Sequence, residues 1–193
     1  MTAPRIVLVR HGPSAHVHTA GPVDCAGFEG WRAAYDSAGI QEVSRPPEYL
    51  VALAADATHV VASDLRRAVE SAERLASGRE VVASALLREM PLAIPAWPTR
   101  LPLGGWGVLI SLGWGYRIVR GSDASADERA RAAAAAEWLA GITADGSTTL
   151  AVTHGAFRRL LGRQLVACGW TSTGRVGGYR PWSAWSFVGP ASR

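Results

Sequence analysis

The chain has 193 residues, 48% hydrophobic and 19% charged, a balance that suits one globular domain with a core of its own and excludes a disordered tail or a disulfide-stapled miniprotein. All 20 basic residues are arginine, and the net charge is +4. Without lysine there is neither a Walker A loop nor a Schiff-base mechanism, while the basic balance suits an acidic partner such as a phosphorylated small molecule. The two cysteines, Cys25 and Cys168, are too few for a disulfide framework. The N-terminus has no secretory pattern, so the expected location is cytoplasmic. The longest uncharged stretch, 101–116, contains five glycines and is shorter than the ~20 apolar residues of a membrane span, so no membrane partner is expected.

In chain order, Ile6 to Val9 is a short buried strand ending abruptly at Arg10-His11-Gly12. A Gly-, Pro-, Ser- and His-rich loop to Gly27 leads to helices expected at 28–37 and 46–55, the second with Pro46 and Pro47 in its first turn. Thr58 to Ala62 is a second strand, with Ser63 as N-cap of a helix over 64–77 whose apolar face is Leu65, Ala68, Val69, Ala72, Leu75 and Ala76. Glu80 to Ala83 is a third strand. The segment from Glu89 to Arg120, with four prolines, many glycines and Trp106, Ile110 and Trp114 at helical spacing, reads as an insertion at about 90–120 covering the strand ends and the active site. Ser122 or Asp123 caps an alanine-rich helix to Ala140. A strand at Thr149 to Val152 runs into Thr153-His154-Gly155 and then a helix with Phe157, Leu160, Leu161, Leu165 and Cys168 as its buried stripe. Tyr179 to Val188 alternates as a final edge strand. Strands alternating with helices predict a single α/β domain, 1–193, with a mostly parallel central sheet in a three-layer α/β/α sandwich.

Ligands of open α/β sheets sit beyond the carboxyl ends of the strands. Those ends supply Arg10, His11, Ser63 to Arg67, Glu89, Thr153 and His154, a predominantly cationic set whose carboxylates are Asp64 and Glu89. Phosphoryl transfer needs such a set: preorganised donors hold the charge on the phosphoryl oxygens, a histidine attacks phosphorus, and a carboxylic acid protonates the leaving oxygen. Arg66 lies near Glu70 and Glu73 on a helical wheel and reads as a solvated ion-pair partner, which assigns the phosphate contact to Arg67. His16 and His18 lack a third ligand at fixed spacing, so no metal is assigned. His59 reads as structural. Ser14, His16 and Arg180 are candidates for the pocket rim, and Arg100, Arg117 and Arg180 are candidates for contact with a second anionic group of the substrate. Packing is the reading preferred for at least two of Trp97, Trp106 and Trp114. No activating neighbour flanks either cysteine.

Leu8 to Gly12, Ser63 to Ala68, Leu87-Arg88-Glu89 and Val152 to Gly155, in that order over about residues 5–165, resemble the successive motifs of the histidine phosphatase superfamily, in its phosphoglycerate mutase-like branch. The resemblance implies that His11 is the nucleophile, that Arg10, Arg67 and His154 bind the phosphoryl group, that Glu89 is the general acid and base, and that no cofactor is used. Gly155, rather than an aspartate, agrees with an acid supplied from elsewhere. Pro13 and Val17 stand where mutase-like members carry a glutamate and an asparagine, and Met90 to Pro95 replaces a glycine- and Trp-Glu-Gly-containing stretch. These departures disfavour a phosphomutase. The reading is therefore a metal-independent phosphatase of a small phosphorylated substrate, with a phosphomutase or a non-catalytic phosphate-binding relative as alternatives. A nucleic-acid partner is not expected, because no clustered basic face with interleaved aromatics is present. The apolar, tryptophan-bearing insertion is a candidate surface for a homodimer as well as for covering the pocket.

Overall fold

The structure, a computed structural model, describes residues 3–17, 21–91, 99–120, 122, 124–143 and 146–190, without the side chains of 117 and 118. The candidates His18, Trp97 and Asp123 and the side chain of Arg117 lie outside the described residues. Six strands form one sheet: β1 (Arg5–Arg10), β2 (His59–Ser63), β3 (Val81–Ser84), β4 (Thr148–Thr153), β5 (Thr171–Val176) and β6 (Ala184–Val188), in the order β3-β2-β4-β1-β6-β5. The first four pair in parallel, and β6 and β5 are antiparallel to their neighbours.

The continuous apolar runs of β1 and β4 are explained by burial on both faces. Ile6, Leu8 and Ala151 join one core with Leu87 of the 3-10 turn Ala85–Leu87, the alanines of α5 (Ala126–Ile142), and Phe157, Leu161 and Leu165 of α6 (Gly155–Ala167). Val7, Val9, Leu150 and Val152 point the other way, onto Leu50 and Ala54 of α2 (Glu48–Ala55) and Ala68, Ala72 and Leu75 of α3 (Arg66–Ala76). Each fully buried leucine contributes about 1.5–3 kcal/mol of transfer free energy, so this two-sided alternation fixes the register of the central strands. The expected three-layer sandwich with a mostly parallel sheet is the observed architecture.

The last strand differs from expectation. It begins at Ala184, not Tyr179, and lies inside the sheet between β1 and β5. The edge belongs to β5, a polar and fully exposed strand whose sequence, Thr171 to Val176, has no apolar alternation to announce it. Ser63 does not cap α3. Its hydroxyl accepts from the amide of Leu65, the residue that stands at the N-cap, and the helix starts at Arg66. The cap of α5 is Ser125, closed by a reciprocal box with Glu128, rather than Ser122 or Asp123. Cys168 is exposed just past the end of α6 and is not part of its buried stripe.

α1 (Cys25–Ser37) starts three residues earlier than expected, because the Asp24 side chain accepts from the amide of Gly27. Within the insertion, α4 (Leu103–Val119) follows the antiparallel bridge between Val23 and Leu101. Its Trp106 is fully buried, sits 5.4 Å from Phe28 of α1 and donates its indole N–H to the carbonyl of Val23. Trp106 is therefore a packing residue. No helix among the described residues is long and apolar enough to cross a membrane.

Candidate active site

β1 and β4 pair in parallel with Arg10 opposite Thr153, so the next residues, His11 and His154, emerge side by side. The His11 amide donates to Thr153 across the same gap, and the two imidazole centroids are 5.0 Å apart. Both rings are buried. Nδ1 of His11 lies 2.6 Å from the carbonyl oxygen of Gly12. A carbonyl only accepts, so Nδ1 carries the proton and the lone pair is on Nε2. Burial, opposed in part by that hydrogen bond and assisted by Arg67, Arg10 and Arg158, pushes the His11 pKa down to about 3. Burial also holds His154 well below its ordinary value, reinforced by His11, Arg67 and Arg10, and neither of its ring nitrogens has a hydrogen-bond partner among the described residues. Two neutral imidazoles thus face a group of guanidiniums.

The guanidiniums come from three elements. Arg10, at the end of β1, donates through Nη1 to the carbonyl of Tyr179 and keeps Nε buried without a partner among the described residues. Gly155, the first residue of α6, lies against it: a Cβ there would stand 3.4 Å from the Arg10 guanidinium carbon, an ordinary contact. Arg67, on α3, is 1% exposed and faces His11 and His154 electrostatically. Its terminal nitrogens are committed to the C-terminal turn of α1, with Nη1 donating to Tyr35 (3.1 Å) and Asp36 (3.4 Å) carbonyls and Nη2 to the Asp36 carboxylate at 3.1 Å. Of the Arg67 nitrogens, Nε alone has no hydrogen-bond partner among the described residues. Arg66, its neighbour, is exposed and paired with Glu70 at 2.7 Å, as its wheel position implied.

The third guanidinium, Arg158, was not singled out in the sequence. It is fully buried one turn into α6, donates to the carbonyls of Ser183 (2.7 Å) and Gly178 (2.9 Å), and has its pKa lowered to about 10, first by burial and then by Arg10. A signal existed: Arg158 lies three, four and seven residues before Leu161, Gly162 and Leu165, all on the buried face. The adjacent Arg159 and the arginine-rich composition masked it. With Arg10, Arg158 grips the 177–183 connection, which returns a wall to the site. Trp182 sits there in the left-handed region at φ 61°, receives Tyr49 Oη on its carbonyl and donates its amide to Arg10. Its ring covers Gly12 so closely that a Cβ on Gly12 would come within 2.5 Å of it. The Gly12 amide donates to Ser71 of α3, which locks the turn after the histidine from the other side.

Glu89 follows the 3-10 turn and reaches the open end of α6. Oε1 accepts from the amides of Met90 (3.0 Å) and Phe157 (2.8 Å), while Oε2 has only the longer contact with Ala156 at 3.4 Å. Since the N-cap residue His154 offers no side-chain cap, Glu89 caps the helix in its place. Arg131 of α5 holds the segment by donating to the carbonyls of Leu86, Arg88 and Glu89, and Arg88 is turned outward onto Asp64 by two bonds of 2.6 Å.

The rim candidates Ser14 and His16 follow His11 in the chain, and Arg180 adjoins Tyr179, whose carbonyl accepts from Arg10. The Ser14 hydroxyl accepts from the His16 amide, and His16 lines a cavity with Gly39, Ile40, Arg66, Glu70 and Arg74. Arg180 is exposed on the 177–183 connection, and Arg100 is exposed next to the bridge at Leu101. His59 opens β2 and is exposed. No group of three or more His, Cys, Asp or Glu among the described residues could hold a metal ion.

No protein-family model matches the chain, and no curated protein sequence does. Solved structures are similar to it. Phosphoserine phosphatase from Entamoeba histolytica, in complex with phosphoserine, superposes with a TM-score of 0.53 at 16% identity over 86% of this chain and 81% of its own. A mycobacterial glucosyl-3-phosphoglycerate phosphatase with inorganic phosphate gives 0.54 at 20% identity over 86% and 80%. The ecdysone phosphate phosphatase from Bombix mori, with tungstate, gives 0.53 at 14% identity over 97% and 92%. At these identities the likeness is one of architecture: the chain has the phosphoglycerate mutase-like fold of these phosphatases.

Proposed function

We propose that the chain is a phosphoric monoester hydrolase that works through a phosphohistidine at His11. The observation that carries this reading is the buried, neutral His11, its Nδ1 proton held by Gly12 and its lone pair on Nε2, in the field of Arg10, Arg67 and Arg158. In the first step Nε2 attacks phosphorus and the phosphorus–ester oxygen bond breaks. The electron pair goes to the leaving oxygen, which takes a proton from the Glu89 carboxylic acid. The Gly12 carbonyl stabilises the positive charge of the phosphorylated ring through Nδ1–H. Arg10, the Nε of Arg67 and His154 hold the phosphoryl oxygens. In the second step water attacks phosphorus, its proton passes to the Glu89 carboxylate, and the P–N electrons return to Nε2 as inorganic phosphate leaves. Glu89 Oε2, the less occupied oxygen, is the proton carrier in both steps.

A second reading, a phosphate-binding protein without turnover, draws on two contacts: the Glu89 carboxylate is spent in part on capping α6, and Asp36 occupies one face of Arg67. Hydrolysis of an aryl phosphate with chelator present, by wild type and by His11→Ala, Glu89→Ala and Arg66→Ala, separates the two. Activity lost with His11→Ala, lowered with Glu89→Ala and spared by Arg66→Ala, with an acid-labile phosphoryl label on the wild type after a rapid quench, supports the hydrolase. Vanadate binding that needs His11, without turnover of any ester, selects the second reading.

A further inference from the structure

α4 is anchored through one side, where the buried Trp106 packs on Phe28 and the half-buried Trp114 ring lies 5.5 Å from the Arg159 guanidinium of α6. Its other side consists of two neighbouring rows at four-residue spacing. Val108, Leu112 and Tyr116 form a raised row, and Gly107, Ser111 and Gly115 form a low one that Val119 closes. Val108, Leu112, Tyr116 and Val119 are 58–88% exposed, a run of large apolar side chains on one helix face rather than the scattered ones that any surface carries. The low row has no explanation inside the chain. Neither Gly107 nor Gly115 has a positive φ, and a Cβ at either would meet nothing within 4 Å, although each glycine weakens a helix relative to alanine. Gly113 is equally open and lies off this face. No charged residue occurs between Arg100 and Arg117, and Arg120, its guanidinium 5.1 Å from the Tyr116 ring, stands at the end of the face.

A raised row beside a low one is a ridge beside a groove, the relief through which helices pack along their four-residue rows. We infer that this face of α4 pairs with the same face of a second copy of the chain about a two-fold axis. The Val108-Leu112-Tyr116 ridge of each copy lies along the Gly107-Ser111-Gly115 groove of the other. The occupant is a second copy because the face offers a ridge and a groove of equal length and is thus its own complement, as a two-fold interface requires. Its two rows are also uncharged, so copies that each carry +4 meet there without opposing charges of one sign. A lipid surface would take bulky apolar residues across the whole face and has no use for a groove. The 17-residue helix is about 25 Å long and about 10 Å wide, a strip of roughly 250 Å² in outline. A standard interface covers about 800 Å² per partner, so the pairing is reversible, with a dissociation constant on the order of micromolar. It is independent of the chemistry proposed for His11.

Sedimentation of the full chain from about 1 to about 200 µM tests the pairing. The weight-average mass of the wild type should rise from 20.4 kDa toward twice that value. Leu112→Arg, at the centre of the exposed ridge, should raise the dissociation constant at least roughly tenfold. Gly107→Leu combined with Gly115→Leu fills the groove. This variant adds apolar surface and favours the helix, yet it should lose the dimer to the same extent, whereas unspecific apolar association would grow stronger. A wild type that stays monomeric throughout overturns the inference. So does a dimer indifferent to Leu112→Arg, or one that the two leucines strengthen. Flotation with phospholipid vesicles supplies the last arm: wild type that rises with the vesicles while Leu112→Arg does not assigns the face to a lipid surface and overturns the inference as well.

Discussion

Because the Gly12 carbonyl fixes the Nδ1 proton, Nε2 of His11 carries the lone pair, and its protonation would abolish the nucleophile of the proposed mechanism. The depressed pKa values of His11 and His154 also set an acid limit to stability. Between the unfolded value near 6.5 and the folded value, the unfolded chain binds more protons. Stability is therefore complete above about pH 6.5 and declines as pH falls toward 3. Denaturant midpoints measured from pH 7 to pH 4 should fall, and should fall less steeply in His154→Gln. In the proposed mechanism Glu89 carries two tasks that can be separated. Glu89→Ala removes both the α6 cap, about 1 kcal/mol, and the proton carrier, about 10²–10⁴ in kcat. Glu89→Gln, which retains a carbonyl acceptor for an α6 amide, should keep most of the stability and lose the same activity. Equal melting points for the two variants would show that the carboxylate does not hold the helix. At this scale the sequence is informative where chemistry repeats: two strands each ending in His-Gly expose the pair His11 and His154. It is silent about Arg158, whose burial depends on the return of a connection 20 residues away in the chain.

Among the elements, the parallel register of β1 and β4 does the positioning, and the connection at 177–183 completes it from the far end of the chain. The helix wheels separate Arg66 from Arg67, because α3 has a clean apolar face and both residues lie near its start. They do not find β5. A strand exposed along its whole length has no burial pattern to leave in its sequence, and its neighbour β6 consequently reads as an edge. Ser63 misleads for a related reason. The serine does make a local hydroxyl–amide bond, to Leu65, but that bond shapes the turn before the helix rather than its first coil. The contact between Gly12 of β1's exit and the Trp182 ring gives a direct test of the 177–183 wall. Gly12→Ala forces the indole aside in a packed setting and should cost about 1–3 kcal/mol by denaturant unfolding. Its activity should fall further than stability alone explains, because Trp182 also receives and returns backbone bonds with Arg10 and Tyr49.

Across the whole molecule, the sheet gathers its chemistry at one edge, and the sequence shows this because the parallel strands all end in the same direction. Their motifs fall in chain order at 10–12, 63–67, 89 and 153–155. What it does not show is how the cationic groups tolerate one another in the absence of an anion. Arg10 and Arg158 each rest on backbone carbonyls, Tyr179 for one and Ser183 and Gly178 for the other, and Arg67 alone has a carboxylate. Carbonyl dipoles satisfy the hydrogen bonds without cancelling the charge, so two guanidiniums keep their long-range field and no ion pair must break when a dianion arrives. In the proposed hydrolase the encounter itself is thereby accelerated: field lines focus on the strand ends and draw phosphate esters in before any contact forms. The range of that attraction contracts from ~30 Å at 0.01 M salt to ~8 Å at 0.15 M. The value of kcat/KM should accordingly fall over that interval while kcat stays level, the signature of a protein that hastens capture by leaving its charges unspent.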